Sequence, residues 1–517
     1  MSERTWSDQQ IAIRDDVARG ESRKVEAYAG TGKTETTIFA AESNPRRGVY
    51  FAFNNSTALD ARPRFSARAP HVSVSTTHSY AMRVVGHLYR NRLQRGPWEM
   101  RSAMRNRYLE RLNRVAASIA DADRLLYAAL DVLRNFAQSG DFEIGQVHLP
   151  DSLTSAPAQD DAEAALAVAR HAWEDIANPA GTLPVSHDDY LKIFQIQGHR
   201  IKADVIYLDE AQDANGVIVA MLQAQRDSQV VVLGDEHQAI YSWRGAVNAM
   251  RAFDFPVIPL TTSWRFGPEI AQVANLVLRS KQARWPLVGG GRPGKVVLAG
   301  SSPPTAVLCR SNAGMVDVVI EQLNAGRQVG VVGGVDRLTS MIGAAYDLWS
   351  GKRSDNPAFR TFANWEDLVS AAGTSQGGSY RPVVRLVEQH QFGVPDLVQR
   401  LRTSTVVESE ADVLISTVHQ FKGRQSGVVR LGSDFPPFAT EPTTEHPHRA
   451  WGIVEEEANL AYVALTRAQE EEQIGPYYAV FRSSMEIMNS LLKTSDVPVA
   501  APATSDIVSS SVAPVNP

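Results

Sequence analysis

The feature that most narrows what this chain can fold into is a short candidate strand that breaks into a glycine-rich turn. Val25–Tyr28 is followed by Ala29, Gly30, Thr31, Gly32, Lys33 and Thr34, and then by the helical stretch Glu35–Ser43. A strand running through such a turn into a helix offers backbone N–H groups and the positive end of the helix dipole to an anion. Lys33 is placed to reach the terminal phosphates of a nucleotide, and the Thr34 hydroxyl to ligate Mg²⁺. The cradle runs from Ala29 to Glu35. Ala27 stands where the strict P-loop pattern wants its first glycine, a small departure that still admits close packing. Alone, the same residues would also suit an ordinary strand–helix turn with a surface lysine.

A second element weighs against that reading. Val205–Leu208 is wholly apolar and ends in Asp209 and Glu210. In a parallel sheet this places two carboxylates at the carboxyl edge of the strands, beside the phosphate turn. Asp209 suits the Mg²⁺ shell. Glu210 suits the base that orients and deprotonates an attacking water. The competing interpretation, acidic residues capping a helix, is common, but it does not explain the pairing with the turn.

The rest of the chain supports α/β organisation. Further short β-branched runs alternate with helical stretches: Val49–Phe53, Val72–Ser75, Val230–Leu233, Val257–Leu260, Val296–Leu298, Ala306–Cys309, Val329–Val332, Val413–Ser416 and Val428–Leu431. Several are apolar all through, as strands buried on both faces should be. Eleven strands exceed one comfortable open sheet, so two sheets in two domains are expected. The alternation lapses in two mainly helical segments, 81–195 and 338–410. The expected division is 1–80 with 196–278, 279–337 with 411–494, the two insertions, and a disordered tail at 495–517, rich in Ala, Pro, Ser and Val.

Composition excludes other classes. No apolar run among the 517 residues approaches the roughly 18 needed to span a bilayer, and the N-terminus lacks the apolar stretch of a secretory signal. The single cysteine, Cys309, excludes an intrachain disulfide and a cysteine zinc cluster. A reducing interior such as the cytoplasm is expected. The twelve histidines show no metal-ligand spacing, so no structural metal is expected beyond nucleotide-bound Mg²⁺. With a net charge of -5, any polynucleotide track must be a local stripe. Nine arginines against two glutamates between Arg83 and Arg114 make the first insertion a candidate phosphate-contacting arm, or a solvated helical face.

With the two nucleotide elements in place, the chain resembles the UvrD/Rep branch of superfamily 1 helicases, and within it the helicase part of the F-box DNA helicase family, from about Trp6 to Ala468. Trp6–Gln10 resembles the Q motif, which implies that Gln10 reads adenine. Asn54 with Ala58, and Thr76–Ser79 including Thr77 and His78, resemble motifs on the DNA side. Gly234–Gln238 followed by Ala239–Ala246 resembles motif III, with Gln238 sensing the γ-phosphate and Tyr241, Trp243 and Arg244 facing the strand. Ser263–Phe266 resembles motif IV, with Trp264 stacking on adenine and Arg265 as an arginine finger. Val307–Asn312 resembles a strand motif of the second domain. Ser416–Gly423 resembles motif V, carrying Thr417 and His419, and Glu456 with Asn459–Ala468 resembles motif VI, carrying a second finger, Arg467. Two departures stand out. Arg424 and Gln425 replace the usual hydrophobic residue and ribose-binding glutamate, so Gln425 would bond the ribose without a charge. Gln469–Tyr478 replaces the usual apolar strand, so the end of the second domain is expected to be rebuilt. No F-box precedes Trp6, so a motor standing alone is expected.

The resemblance implies two RecA-like parallel-sheet domains with helical insertions and an ATP-dependent, Mg²⁺-requiring DNA helicase. It implies movement 3′→5′ on single-stranded DNA, action at single-strand/duplex junctions, and a monomer. Two alternatives stay open: a translocase that strips proteins such as recombinase filaments, and a nucleotide-switched DNA-binding scaffold without hydrolysis. Tyr241 and Trp243 alternate with Ser242, so on extended backbone they share one face, as a stacking platform requires.

Overall fold

The computed structural model describes residues 5–94, 97–113, 119–150, 153, 159–241, 245–298, 300, 302–354, 356, 359, 362, 364–373, 380–439 and 454–494. Trp243, Arg244 and the 495–517 tail lie outside them.

Two fully parallel sheets organise the chain. The first contains β1 (Arg23–Ala27), β2 (Gly48–Phe51), β3 (Val72–Ser75), β4 (Val205–Leu208), β5 (Gln229–Gly234) and β6 (Val257–Leu260), in the order β3-β2-β4-β5-β1-β6. Strands β2, β4 and β5 are buried at every position, as their uninterrupted apolar runs require. A short pair follows, β7 (Thr262–Ser263) with β8 (Val288–Gly289). The second sheet contains β9 (Lys295–Val297), β10 (Ala306–Cys309), β11 (Val329–Val331), β12 (Thr405–Val406), β13 (Val413–Thr417), β14 (Ser426–Leu431) and β15 (Ala468–Gln473), in the order β12-β11-β13-β10-β14-β15-β9. Each of the eleven expected runs holds a strand, its ends differing by at most two residues.

The end of the second sheet corrects the sequence reading. The charged stretch Ala468–Gln473 is not rebuilt. It forms β15, parallel to both β14 and β9, with Glu471 and Glu472 buried. Lys295 on β9 pairs with Glu471 at 2.7 Å, which supplies part of the compensation an apolar strand would not need.

The helical segments cover the sheets. Between β3 and β4, Leu133 and Phe136 of helix Ile119–Gln138 and Tyr190 and Phe194 of helix His187–Ile196 share a core with Phe51, Leu208 and Val232. Between β11 and β12, Leu386 and Val387 of helix Arg381–His390 and Leu401 of helix Val394–Ser404 share another with Val307, Cys309 and Val413. A third apolar core joins the lobes: Tyr28, Phe266 and Ile270 on one side meet Leu308, Leu460 and Tyr462 on the other. No helix among the described residues is long and apolar enough to cross a membrane.

Candidate active site

Because the first sheet is parallel, β1 and β4 deliver their carboxyl ends to one edge. From β1 the chain turns through Gly30 (φ 75°) and Gly32 (φ 80°, the residue capping helix Lys33–Glu42). Glycine at position 30 is doubly required. Its backbone is left-handed, and a Cβ there would lie 2.5 Å from Ser263 Oγ and 2.7 Å from Arg265 Cβ. The turn is thus pressed against the segment after β7, where the Trp264 N–H donates to the Gly30 carbonyl at 2.9 Å.

From β4, Asp209 and Glu210 reach the same place. Glu210 sits at φ 50°, a left-handed conformation that non-glycine residues rarely adopt and that clusters at functional sites. Lys33 Nζ lies 3.0 Å from Glu210 Oε1, and Gln212 Nε2 donates to Glu210 Oε2 at 2.5 Å. Burial raises the pKa of Glu210, but Lys33 and Lys422 outweigh it and leave the carboxyl below its ordinary value. Burial, reinforced by Glu210, raises Asp209. Burial opposes charge on Lys33, yet Glu210, Asp209 and Asp235 together leave its pKa raised. The Tyr50 hydroxyl contacts both the Asp209 carboxylate and the Thr34 side chain. This convergence of a carboxylate and a hydroxyl fits a hard cation such as Mg²⁺.

The second lobe closes the edge. Arg467, 1% exposed, extends from the end of helix Glu455–Leu465 and donates to Gln238 Oε1 at 3.2 Å and to the Val463 carbonyl at 2.8 Å. Arg265 donates to the Thr466 carbonyl at 2.7 Å and to Gln425 Oε1 at 2.9 Å. Among the described residues, neither guanidinium is paired with a carboxylate; each is held by neutral oxygens. Burial, then the proximity of Arg467, lowers Arg265 to about 9, and burial lowers Arg467 to about 10. Two desolvated cations without counter-ions favour an incoming polyanion. Arg265 belongs to the margin of the first lobe, just after β7, so only Arg467 comes from the second.

These residues line one cleft of about 350 Å³, shared by Gly30, Thr31, Gly32, Lys33, Thr34, Glu35, Asn54, Glu210, Gln238 and Tyr241 of the first lobe with Lys422 and Arg467 of the second; Arg265 lies between them. Glu35 is held by Arg64 and Arg68. The Trp264 ring beside the loop is 53% exposed. Asn54 caps helix Asn55–Arg68 through the Thr57 N–H at 2.9 Å.

The other expected residues have the following surroundings. Gln10 is buried away from the cleft lining, its amide engaged by the backbone of Ser7 at 3.1 Å and by Thr36 at 3.0 Å. Gln425 holds Arg265 with its amide oxygen. Thr77 is buried, and His78 bonds Asp188 at 2.9 Å. Thr417 caps helix Val418–Phe421. Tyr241 lies between the lobes: its hydroxyl donates to the His419 carbonyl at 2.8 Å, and its ring stacks near Phe53. In the candidate arm, Arg92 donates to the Leu183 carbonyl at 2.7 Å and Arg107 pairs with Asp175 at 2.6 Å, so these two arginines brace the insertion.

Sequence reasoning passed over Lys422 and Asp213. Lys422 Nζ bonds Asp213 Oδ2 at 2.5 Å and the Gln238 carbonyl at 2.6 Å, a buried ion pair across the lobes. Lys422 lies within the segment Ser416–Gly423, but only the fold reveals a partner 209 positions away.

Residues 192–252 match the UvrD/REP helicase N-terminal domain, and residues 396–474 match the UvrD-like helicase C-terminal domain. The chain is 31% identical over 504 residues to F-box DNA helicase 1 of Gallus gallus, covering 90% of this chain and 48% of that protein. It is 27% identical over 507 residues to F-box DNA helicase protein 1 of Schizosaccharomyces pombe, covering 90% and 56%. A 97-residue segment is 33% identical to DNA helicase II of Escherichia coli, covering 17% and 14%. The chain thus spans about half the length of its two F-box helicase relatives.

Proposed function

From a chain that carries UvrD/Rep-like superfamily 1 helicase domains, we propose a motor that hydrolyses ATP in the cleft between its lobes and moves along single-stranded DNA, 3′→5′, opening duplex at junctions. The observation that carries the reading is the shared cleft, in which Lys33 and Glu210 of one lobe face Arg467 of the other, with Arg265 between them.

In this mechanism the triphosphate takes the place of Glu210 as the partner of Lys33, while the turn's N–H groups hold its oxygens. Glu210, with Lys422 still nearby and Gln212 fixing its second oxygen, accepts the proton of the water that attacks the γ-phosphorus. The bond from the γ-phosphorus to the bridging oxygen breaks, and ADP carries that oxygen away. Arg265 and Arg467 balance the negative charge that develops. Thr34 and Asp209 are the residues to hold Mg²⁺, which when bound supplies charge neutralisation on the phosphates. Loss of the shared anion removes what both lobes grip, and the lobes part.

The test is a directional one. Tailed duplexes with a 3′ or a 5′ single strand are incubated with the protein and ATP, and strand separation and phosphate release are followed together. The account expects DNA-stimulated phosphate release, with separation of the 3′-tailed duplex only. No DNA-stimulated release would favour the scaffold reading.

A further inference from the structure

Outside the cleft, three ligand-type side chains converge between β1 and the turn after β5. Glu26 lies on β1, opposite Gly234 and Pro259 of its neighbours. Glu236 and His237 open the turn. One donor atom from each lies within 4.8 Å of the others; His237 Nε2 is 3.9 Å from Glu26 Oε1 and 4.0 Å from Glu236 Oε1. His237 is 2% exposed, and neither of its ring nitrogens has a hydrogen-bond partner. Its ring is packed edge-on by Tyr28 and Tyr462 at 5.6 and 6.2 Å. None of the three residues lines the nucleotide cleft.

A core histidine held only for packing keeps a nitrogen hydrogen-bonded. Two bare nitrogens, one of them facing two carboxylates, call for a different occupant. We infer that Glu26, Glu236 and His237 form a binding site for a borderline divalent cation of the Zn²⁺ class. One imidazole and two carboxylates match the nitrogen and oxygen donors Zn²⁺ takes, whereas Mg²⁺ selects oxygen alone. Tetrahedral ligation needs donors about 3.4 Å apart, slightly closer than the present contacts and within reach of small side-chain rotations.

The surroundings are compatible with such an ion. Arg251 bonds Glu236 through Oε2 and Glu455 beyond it, which leaves Glu236 Oε1 for the cation. Lys24 is turned to the carbonyls of Met250 and Phe253, and Lys281 to the side-chain oxygen of Asn459. Arg284 also acts on Glu26 and opposes the ion, while Asp235 favours it. The Glu236 side chain, 28% exposed, marks the route of entry. An ion held here ties β1 to the turn carrying Gln238, the residue that bonds Arg467.

The test uses the full chain without a polyhistidine tag, stripped with chelator and desalted, in the absence of nucleotide. Zn²⁺ is titrated against a chromophoric chelator, and Co²⁺ is added separately to read its visible absorption. The expected result is one Zn²⁺ per chain and a tetrahedral Co²⁺ spectrum. His237→Ala and Glu26→Gln should each weaken Zn²⁺ binding by about tenfold or more, and Asp209→Asn should leave it intact. Glu236→Gln, on the least buried ligand, gives a second reading in case His237→Ala does not fold. Stoichiometry well below one, or unchanged affinity in both Glu26→Gln and Glu236→Gln, overturns the proposal. Loss of binding in Asp209→Asn also overturns it, because the ion would then sit at the nucleotide edge.

Discussion

Arg467 of the second lobe donates to the side-chain oxygen of Gln238 in the first, 3.2 Å away. Gln238 in turn donates to the buried Asp235 at 2.7 Å and offers its backbone carbonyl to Lys422 at 2.6 Å. A single glutamine thus touches both cations that the second lobe brings to the cleft.

Removing either finger should slow chemistry far more than binding. Arg467→Ala and Arg265→Ala are each expected to lower DNA-stimulated turnover by roughly 10³–10⁵, with affinity for a fluorescent ATP analogue changed little by comparison. Phosphate release and anisotropy titrations, run side by side, separate the two effects. Turnover near wild type in Arg467→Ala would remove it from the reaction.

Gln425 is expected to act through Arg265. Gln425→Ala frees one side of that guanidinium and should reduce turnover by about tenfold while leaving the KM for ATP nearly unchanged. Gln425→Glu gives Arg265 a carboxylate partner and should be slower still, because a paired guanidinium is less available to phosphate. A rise in KM with unchanged turnover would instead return Gln425 to the ribose role that the family resemblance suggested.

How much of this was legible beforehand depended on whether the governing interaction was local. Val205–Leu208 and Ala306–Cys309 lie where their apolar runs put them, because strands buried on both faces have little freedom of composition. The charged strand Ala468–Gln473 was missed because its support comes from Lys295 on a neighbouring strand. The two-residue strands β7, β8 and β12 are too short to show a period. In the site, the phosphate turn and the Asp209–Glu210 pair announce themselves by spacing. The positions of Gln425 and Lys422 do not, since their partners Arg265 and Asp213 are 160 and 209 residues away.

The Lys422–Asp213 pair should behave as a buried ion pair. Both side chains are at most 8% exposed. Lys422→Met leaves the carboxylate alone and is expected to cost about 3–5 kcal/mol. Adding Asp213→Asn should recover much of that loss. Thermal unfolding of the two single variants and the double variant measures the coupling, and strictly additive losses would show that the pair does not act as a unit.

The insertion has its own acid-sensitive brace. Burial raises the pKa of Asp175, but the backbone N–H groups of Leu183 and Thr182 and the guanidinium of Arg107 outweigh it and hold it at about 2. A depressed carboxyl stabilises the fold above its unfolded value of about 4, and that contribution is lost as pH falls toward 2. Asp175→Asn should therefore cost about 2 kcal/mol near neutrality, and the gap from wild type should narrow below pH ~4. A gap that stays constant with pH would assign the loss to packing.

The central claim is that one nucleotide is gripped by both lobes and that its hydrolysis lets them part. The most direct measurement is energy transfer between dyes on Arg62→Cys in the first lobe and Ala325→Cys in the second. Both positions are exposed, while the native Cys309 is buried and escapes labelling. Transfer should rise with a non-hydrolysable ATP analogue, fall with ADP, and become insensitive to nucleotide in Arg467→Ala. Identical transfer with the analogue, with ADP and with neither, in a wild-type chain that binds both nucleotides, would contradict the account.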